Sequence, residues 1–516
     1  MISEFKNEPV RTFASPEEKK RMSAAIDDER ARFGTRYDLI IGGRRVKAAK
    51  EFASRNPAKP SETVGYAQSA TVEHAKDAVE SARRAYAGWA SVGAQRRADL
   101  LFEAAAAVRQ RRFEFDALLV LEVGKSWAEA EGDVAEGIDF LEYYGREMLR
   151  YAGDHPVTPV AGEKGAMRYI PLGVGVVVPP WNFAFAIMVG MTSAAIVTGN
   201  TVVLKPSSDS PVVAERFVVL LEQCGLPPGV VNLITGPGAA IGDALVKDPR
   251  VRFISFTGSK DVGLRVNELA AQPQPGQKWI KRVVAEMGGK DSILIAADAD
   301  LDAAVEGVAV SAYGYQGQKC SACSRAIVED AVYDSFVKKL VDRIGSITVG
   351  DPSDPTNYMG PVVNEASLRK IEGYIDAGKR EAVLTAGGGR AGAEGYYVQP
   401  TLFTDVPPDG KLAQEEIFGP VLAVIRAKDF DDALAIANNT EFGLTGSVYS
   451  KDPRKLERAR DEFFVGNLYL NRKCTGALVG AHPFGGFNMS GTDSKAGGPD
   501  YLLLFMQAKS VSEKVG

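Results

Sequence analysis

Residues 172–205, LGVGVVVPPWNFAFAIMVGMTSAAIVTGNTVVLK, decide the fold of this chain. They lie in an uncharged run of 36 positions between Arg168 and Lys205, which is long enough to suggest a membrane span. Pro179-Pro180 and Thr198-Gly199-Asn200 interrupt the run at intervals well below the ~20 apolar residues that a span needs. The run therefore predicts a buried α/β core, with a strand at 174–178, a loop, a helix at about 185–197 and a strand at 201–204.

The composition excludes several classes of function. The chain has 516 residues, enough for two or three domains, and its net charge is −5 with no run rich in Lys or Arg, which argues against a nucleic-acid partner. Three His and four Cys are too few for a His-rich metal centre or a disulfide framework. The N-terminus lacks the features of a signal peptide. We therefore predict a cytoplasmic protein with no metal, nucleic-acid or membrane partner.

Two series of β-branched runs, each alternating with helices, follow a largely helical first 150 residues. The first series extends from GVGVVVP (173–179) to KRVVA (281–285), and the second from SILIA (292–296) to NLYL (467–470). In the first series the strand starts lie about 20–30 residues apart, which is typical of βαβ units in a parallel sheet. We predict a cofactor domain followed by a catalytic domain. The segment AGGGRAGAEG (386–395) predicts an exposed hairpin or loop.

Two glycine-containing segments after predicted strands could hold phosphate groups. Gly236-Pro237-Gly238 precedes a predicted helix, but Gly242 comes one residue too late for the usual G-x-G-x-x-G pattern. Phe256-Thr257-Gly258-Ser259 also opens a helix, whose free N–H groups favour anions. Each segment alone fits a simple turn equally well. Lys205, at the carboxyl end of a strand, adds a cation where open α/β sheets bind ligands, so the set favours a dinucleotide.

Cys320 is the candidate nucleophile, in the segment YQGQKCSACSR (315–325). A cysteine is a strong nucleophile only as the thiolate, which a nearby cation favours, and Lys319 and Arg325 flank it in sequence. Cys320 and Cys323 also form a C-x-x-C, a spacing shared by dithiol oxidoreductases and zinc sites. Zinc would need two more ligands, and a dithiol domain is normally far smaller. We predict one nucleophile, Cys320, and a buried structural role for the remaining cysteines, Cys224, Cys323 and Cys474.

Seven short motifs occur in order along the chain: PWNF (180–183), KP (205–206), FTGS (256–259), EMGGK (286–290), GQKC (317–320), EIFGP (416–420) and PFGG (483–486). Their order and spacing resemble the aldehyde dehydrogenase superfamily over essentially the whole chain. Within it, NEPVRTF (7–13) and the segment 466–505 resemble the 1-pyrroline-5-carboxylate dehydrogenase branch, whose members oxidise L-glutamate γ-semialdehyde to L-glutamate in proline and arginine breakdown.

The resemblance implies a catalytic set of three residues. Cys320 would attack the aldehyde carbon, and the Asn182 side-chain amide with the Cys320 backbone N–H would stabilise the oxyanion. Glu286, which precedes Cys320 by 34 residues, would activate the water that hydrolyses the thioester. A non-catalytic protein on the same scaffold, a CoA-acylating relative, a γ-glutamyl phosphate reductase and a hydrolytic relative with a different aldehyde remain the alternatives.

The resemblance also implies NAD as cofactor. Lys205 would bind the adenosine ribose, Gly258 and Ser259 the pyrophosphate, and Glu416 the nicotinamide ribose, with Trp181 and Phe418 at the same cofactor site. Many NAD-preferring members carry Glu three residues after the lysine, where this chain has Ser208. The absence of that carboxylate removes repulsion toward a 2′-phosphate, so the sequence predicts NAD and allows NADP.

For the substrate, an anionic amino-acid semialdehyde, the resemblance implies small and mostly neutral groups. Its carboxylate would bind the Ser321 hydroxyl and the N–H groups of Gly476 and Ala477, the last two in a loop where glycine allows close approach. Phe183 and Phe484 would sandwich the aliphatic chain, and Glu136 would line the entrance.

The fold class implied is the aldehyde dehydrogenase fold, an α/β fold with two open parallel-sheet domains, one of them Rossmann-like, and a β arm. The arm would have two strands and form a homodimer or a larger homo-oligomer, with Tyr501 to Met506 as a strand added to a partner's sheet. The expected division is 1–148 and 172–286 for the cofactor domain, 287–490 for the catalytic domain, and 149–171 and 491–516 for the arm.

Overall fold

The computed structural model describes residues 4–392 and 394–515, and its N-terminal part mixes helices with short strands. The elements in chain order are α1 Pro16–Arg30, β1 Thr35–Tyr37, β2 Leu39–Ile41, β3 Arg44–Val46, β4 Glu51–Asn56, β5 Lys59–Gln68, α2 Val72–Ser91, α3 Ala94–Gln110, α4 Arg112–Val123 and α5 Trp127–Tyr151. The prediction of a largely helical first 150 residues missed β1 to β5. These strands carry many exposed polar side chains, so their apolar period is weak.

The central part follows the predicted alternation of strands and helices. Its elements are β6 Asp154–His155, β7 Glu163–Pro171, β8 Val174–Val178, α6 Ala186–Val197, β9 Thr201–Leu204, α7 Pro211–Gln223, β10 Val231–Leu233, α8 Gly238–Lys247, β11 Val251–Thr257, α9 Lys260–Ala271 and β12 Arg282–Glu286. The strand–loop–helix–strand interpretation of residues 172–205 is confirmed, with the helix beginning one residue later than predicted.

The C-terminal part repeats the alternation. Its elements are β13 Ser292–Ile295, α10 Leu301–Tyr313, a 3₁₀ turn Gly314–Gly317, β14 Arg325–Glu329, α11 Asp330–Gly345, α12 Glu365–Glu381, β15 Val383–Ala386, β16 Thr401–Thr404, α13 Lys411–Gln414, β17 Val421–Ala427, α14 Phe430–Asn438, β18 Phe442–Gly443, β19 Thr445–Tyr449, α15 Pro453–Glu462, β20 Asn467–Leu470, β21 Phe487–Asn488, a 3₁₀ helix Tyr501–Phe505 and β22 Met506–Lys514.

Two seven-stranded sheets organise the molecule. The first has the order β12-β11-β8-β9-β10-β2-β3, and the second β15-β16-β17-β14-β13-β19-β20. Neighbouring strands are parallel except in the pairs β10–β2, β2–β3 and β15–β16. The antiparallel edge strands were not predicted as part of either sheet. The glycine-rich segment 386–395 connects β15 to β16, with Ala393 outside the described residues.

The charge-free segment is apolar because it lies in the centre of the first core. Helix α6 is buried along nearly its whole length and packs against α3, α5, β8 and β9. Its N-terminus is fixed by Asp133 of α5, whose carboxylate accepts a hydrogen bond from the Ala186 N–H at 2.7 Å. Among the helices of the described residues, none combines the length and apolarity needed to cross a bilayer.

A third, smaller sheet forms an extension with three strands, in the order β22-β7-β6. Strands β22 and β7 pair antiparallel over nine residues, from Met506 opposite Pro171 to Lys514 opposite Glu163. The expectation of a two-stranded arm omitted β6. The expectation of a strand at Tyr501–Met506 was wrong, because Tyr501–Phe505 forms a 3₁₀ helix whose aromatic side chains pack into the first core. The strand begins at Met506.

Candidate active site

A strained turn places Cys320 between the two sheets. Tyr315, Gln316 and Gly317 have consecutive positive φ angles of 50°, 58° and 66°. Residues other than glycine rarely adopt this backbone conformation. Buried hydrogen bonds hold the turn: the Tyr315 hydroxyl donates to the Val123 carbonyl at 2.9 Å, and the Gln316 amide donates to two further carbonyls. Backbone strain maintained in this way is typical of functional sites.

The turn yields a stability prediction, because a Cβ at Gly317 would collide with the Gly419 carbonyl oxygen. Gly317→Ala is expected to lower the free energy of unfolding by about 3 kcal/mol or more, from the collision and the left-handed φ together. Gly373→Ala is the matched control, since this exposed glycine of α12 has nothing within 4 Å of its added Cβ. Chemical unfolding should show little change or a small gain for the control. Equal losses for both variants would contradict the account.

Neither of the cations that flank Cys320 in sequence, Lys319 and Arg325, activates its thiol. Lys319 forms an ion pair with Glu129 at 2.7 Å, and the buried Arg325 guanidinium donates to three backbone carbonyls. Burial raises the pKa of the Cys320 thiol above its ordinary value, and the carboxylates of Asp291, Glu416 and Glu286 raise it further. The thiol is therefore protonated at neutral pH until a base takes its proton.

The Asn182 amide lies against the nucleophile loop. Asn182 is buried in the loop after β8, and its Nδ2 donates to the carbonyl of Gln318 at 3.1 Å. Both Asn182 and Cys320 line the same cavity. An amide nitrogen carries two N–H donors, so one remains for an oxygen atom near Cys320.

Glu286, the last residue of β12, is held by the loop that follows the PFGG motif. One carboxylate oxygen accepts hydrogen bonds from the Ser494 hydroxyl at 2.7 Å and from the Ser494 N–H at 3.2 Å, and the other accepts from the Gly486 N–H at 3.2 Å. Desolvation outweighs these bonds and raises the pKa of Glu286 to about 7. A carboxylate with this pKa exchanges protons readily near neutral pH, as a general base requires.

A cavity of about 680 Å³ opens on one side of Cys320, along the carboxyl ends of the first sheet. The predicted cofactor residues Trp181, Lys205, Gly258, Ser259, Glu416 and Phe418 line it. Ser259 is the N-cap of α9, and its hydroxyl makes no capping hydrogen bond, so it is available to a ligand. Phe418 has φ of 61° and meets Trp181 edge to face at 5.6 Å.

These residues fit a dinucleotide. The N-terminus of α9 is an anion site, and the nearly buried Lys205 is hydrogen bonded to the Pro206 carbonyl, which leaves ammonium N–H groups free. Desolvation lowers the pKa of Lys205 to about 8. The Glu416 carboxylate accepts from the Gly289 N–H at 3.0 Å, and it lies so close to Gly288 that a Cβ there would strike it.

Ser208 is the predicted cofactor residue that does not line this cavity. Its neighbours Ser207 and Asp209 do, and the Asp209 carboxylate accepts a hydrogen bond from the Asn364 amide at 3.0 Å. The prediction considered only position 208 and missed the Asp209 carboxylate on this wall. A turn after β9 brings the residue one position further along the chain onto the cavity, which spacing from Lys205 alone does not reveal.

A second cavity of about 410 Å³ lies on the other side of Cys320. It is lined by all of the predicted substrate residues: Glu136, Phe183, Ser321, Gly476, Ala477 and Phe484. Gly476 has φ of 77°, which requires glycine's freedom in this loop. The fully buried ammonium of Lys125 lies 4.3 Å from the centre of the Phe183 ring and 3.0 Å from Asp133, and so fixes that wall.

The second cavity is more charged than predicted. Glu129, Asp139, Lys319 and Lys473 line it beside Glu136. Desolvation, and to a smaller extent the Asp133 carboxylate, raises the pKa of Glu136 to about 8. This carboxyl is therefore mostly neutral at pH 7. A Cβ added to Gly476 would lie 3.3 Å from the Lys473 ammonium, which places that cation at the predicted carboxylate site. Lys473 was missed because it has no motif of its own.

The other cysteines lie away from the two cavities. Cys323 and Cys474 are buried, with sulfur atoms directed at the backbone carbonyls of Arg325 and Ser321. Cys224, expected to be buried, is half-exposed at the C-terminus of α7. Of the two cysteines in the C-x-x-C, Cys320 therefore faces both cavities, whereas Cys323 faces the core.

The chain belongs to the aldehyde dehydrogenase family. The family model described as "Aldehyde dehydrogenase family" matches residues 45–511. This confirms the superfamily that the seven motifs indicated, as well as the α/β fold class.

Comparison with individual relatives is more specific than the family match. The chain is 54% identical over 513 residues to a protein of Geobacillus thermodenitrificans named 1-pyrroline-5-carboxylate dehydrogenase, covering 99% of this chain and all of that protein. A Bacillus subtilis protein of the same name is 52% identical over the same length. The crystal structure of 1-pyrroline-5-carboxylate dehydrogenase from Thermus with bound NAD superimposes with a TM-score of 0.98, at 49% identity and 99% coverage of both chains.

Proposed function

We propose that this protein oxidises L-glutamate γ-semialdehyde, the open form of 1-pyrroline-5-carboxylate, to L-glutamate with NAD as cofactor. The observation that carries the proposal is the position of Cys320. It lines both the cofactor-sized cavity and the second cavity with the carboxylate-binding groups. The names of the full-length relatives, and the NAD bound in the Thermus enzyme, support the same activity.

The first step is attack of the Cys320 thiolate on the aldehyde carbon. The thiol proton passes through water in the cavity to solvent, and Glu286, which lines the same cavity with a pKa of about 7, stays available for the hydrolytic step. The carbonyl oxygen becomes an oxyanion, which the free Asn182 N–H and the Cys320 backbone N–H stabilise. A preorganised donor of this kind contributes ~2.7–4 kcal/mol to the transition state.

The second step turns the thiohemiacetal into a thioester, and the nicotinamide, when bound, supplies the hydride acceptor for it. Water then attacks the thioester carbon, while the Glu286 carboxylate takes a proton from that water. The Cys320 thiolate leaves, and glutamate is released. A relative that transfers the acyl group to CoA has no use for this base, so the presence of a poised Glu286 favours hydrolysis over CoA acylation.

The substrate's α-carboxylate would bind the N–H groups of Gly476 and Ala477 and the Ser321 hydroxyl. Lys473 supports this assignment, because its ammonium adjoins Gly476 and attracts an anion. The aliphatic chain would lie between Phe183 and Phe484. In this arrangement the aldehyde end of the substrate points at Cys320.

The proposal favours NAD over NADP. The Asp209 carboxylate on the cavity wall near Lys205 repels a 2′-phosphate, although Ser208 itself carries no charge. NADP use is therefore expected to be weak rather than absent.

The test is a comparison of substrates with NAD⁺ and without CoA. We expect kcat/KM for 1-pyrroline-5-carboxylate to exceed that for propanal by at least about 100-fold, since the carboxylate contacts are worth several kcal/mol when made in a desolvated pocket. Succinate semialdehyde, which keeps a carboxylate but lacks the amino group and is one carbon shorter, should fall between them. Equal values for all three would refute the specificity and leave only the aldehyde dehydrogenase class.

We further propose a homodimer or a larger homo-oligomer in the cytoplasm. Strand β22 lies at the edge of its sheet, and its exposed N–H and C=O groups offer a pairing surface to a second copy. Light scattering tests the assembly. A catalytic thiol needs a reducing compartment, which is the reason for the proposed location.

The division of the chain into a cofactor domain (1–148 and 172–286), a catalytic domain (287–490) and an arm (149–171 and 491–516) also stays a proposal. Its support is that the strands β2 to β12 that form the first sheet and the strands β13 to β20 that form the second fall on either side of residue 287. The sheet formed by β6, β7 and β22 draws on both arm segments.

A further inference from the structure

The N-terminal segment ahead of α1 forms part of the substrate cavity. Residues 5–11, here called the strap, have no regular secondary structure and lie against α3, α4 and α5, and Glu8 and Val10 line the second cavity. The strap is thus more than a surface extension.

Several contacts fix the strap on α3, α4 and α5. The Glu8 carboxylate receives hydrogen bonds from Arg109 and Arg112, each at 2.8 Å. The Arg11 N–H donates to the buried carboxylate of Glu131 at 2.7 Å, and the Phe5 ring meets Tyr143 edge to face at 5.1 Å. These contacts make the strap a fixed support.

Asn7 connects this support to the loop that carries Gly476 and Ala477. This loop, residues 475–482, is here called the carboxylate loop. The Asn7 amide donates one hydrogen bond to the Asp139 carboxylate of α5 at 2.8 Å and another to the Val479 carbonyl at 2.9 Å. Phe5 also packs against Gly480, where an added Cβ would lie 3.1 Å from its ring.

The carboxylate loop needs such support. It contains no regular secondary structure, and Gly476 and Gly480 both have positive φ angles, so its backbone has little rigidity of its own. Arg472 and the Gly497 carbonyl hold its two ends. Within the loop, the His482 ring accepts a hydrogen bond from the Leu478 N–H at 3.1 Å. From outside the loop, the Asn7 side chain holds Val479, three residues from Gly476.

We propose that Asn7 is a positioning residue for the carboxylate loop, so that the strap sets the affinity of the site for carboxylate-bearing aldehydes. The inference rests on the proposed function, because it assumes that Gly476 and Ala477 bind the substrate's carboxylate. Asn7 itself touches neither the reacting atoms nor the cofactor cavity. Its effect is therefore on KM for an anionic substrate, and not on the chemical steps.

The experiment compares Asn7→Ala with the wild-type protein on two substrates. With 1-pyrroline-5-carboxylate the KM is expected to rise about tenfold at nearly unchanged kcat. A change of this size corresponds to the loss of about one hydrogen bond. With propanal, which has no carboxylate, KM and kcat should stay within about twofold. Lys6→Ala is the matched control, because Lys6 is an exposed residue of the same strap, and it should behave as wild type on both substrates.

The possible outcomes are distinct. Equal KM increases for both substrates, or a fall in kcat for both, would overturn the inference and leave Asn7 with a general structural role. If wild type itself shows no preference for 1-pyrroline-5-carboxylate, the proposed function fails, and the inference fails with it. Should Asn7→Ala not fold, Asn7→Leu keeps the volume of the side chain while removing both bonds. It must show the same substrate-selective increase in KM.

Discussion

Replacing Cys320 by Ala is expected to lower kcat by about 10⁴-fold or more, since the covalent step has no other nucleophile at the junction of the two cavities. The small methyl group leaves both cavities open, so NAD⁺ should still bind. Steady-state formation of reduced nicotinamide measures the first effect, and titration of the protein's fluorescence with NAD⁺ measures the second.

Cys224→Ala is the matched control for this substitution. Cys224 lies at the end of α7, lines neither cavity and is half-exposed. It should retain wild-type kcat. Residual turnover of Cys320→Ala above a few per cent of wild type would mean that Cys320 is not the nucleophile.

Replacing Glu286 by Gln is expected to slow hydrolysis of the thioester by about 10²–10⁴-fold, which is the usual contribution of a general base. Gln has nearly the same shape, and its carbonyl can still accept a bond from Ser494 or Gly486. We therefore expect the rate of acylation to fall less than the rate of thioester hydrolysis. Rapid mixing should show a burst of about one reduced nicotinamide per Cys320, followed by a very slow steady rate.

The same residue gives the wild-type enzyme a pH dependence. Only the carboxylate form of Glu286 accepts a proton, and its pKa is raised to about 7 by burial. The hydrolytic rate should therefore rise with pH through about 7 and then level off. In Glu286→Gln this rise should be absent. A variant that kept the wild-type pH profile would show that another group is the base.

Local sequence predicted the elements that have a strong pattern of their own. β8, α6 and β9 follow from one charge-free run, because a fully buried βαβ unit is apolar throughout. β20 was predicted with its observed bounds. The strands β2, β3, β15 and β16 were missed. β3 and β15 are partly exposed edge strands without a continuous apolar pattern. β2 and β16 are buried, but with three and four residues they are too short to show a pattern of their own.

The site could be predicted only to the extent that its residues sit in motifs. Every site residue predicted from the sequence lines one of the two cavities, with Ser208, which was chosen from its spacing to Lys205, as the exception. What no motif shows is contact between distant segments. Lys319 pairs with Glu129 across 190 positions instead of facing the thiol, and Ser494 reaches Glu286 across 208. Such contacts arise from the tertiary packing of segments far apart in the chain.

The central claim is that the former aldehyde carbon, which becomes the side-chain carboxyl carbon of glutamate, is joined to Cys320 as a thioester. Intact-mass and peptide mass spectrometry of Glu286→Gln, quenched in acid after mixing with NAD⁺ and 1-pyrroline-5-carboxylate, tests it directly. The account predicts one added glutamyl group per chain, located on the peptide that contains Cys320 and absent when NAD⁺ is omitted. A protein that turns over the substrate with no such adduct, or with the adduct on Cys323 or Cys474, would contradict it.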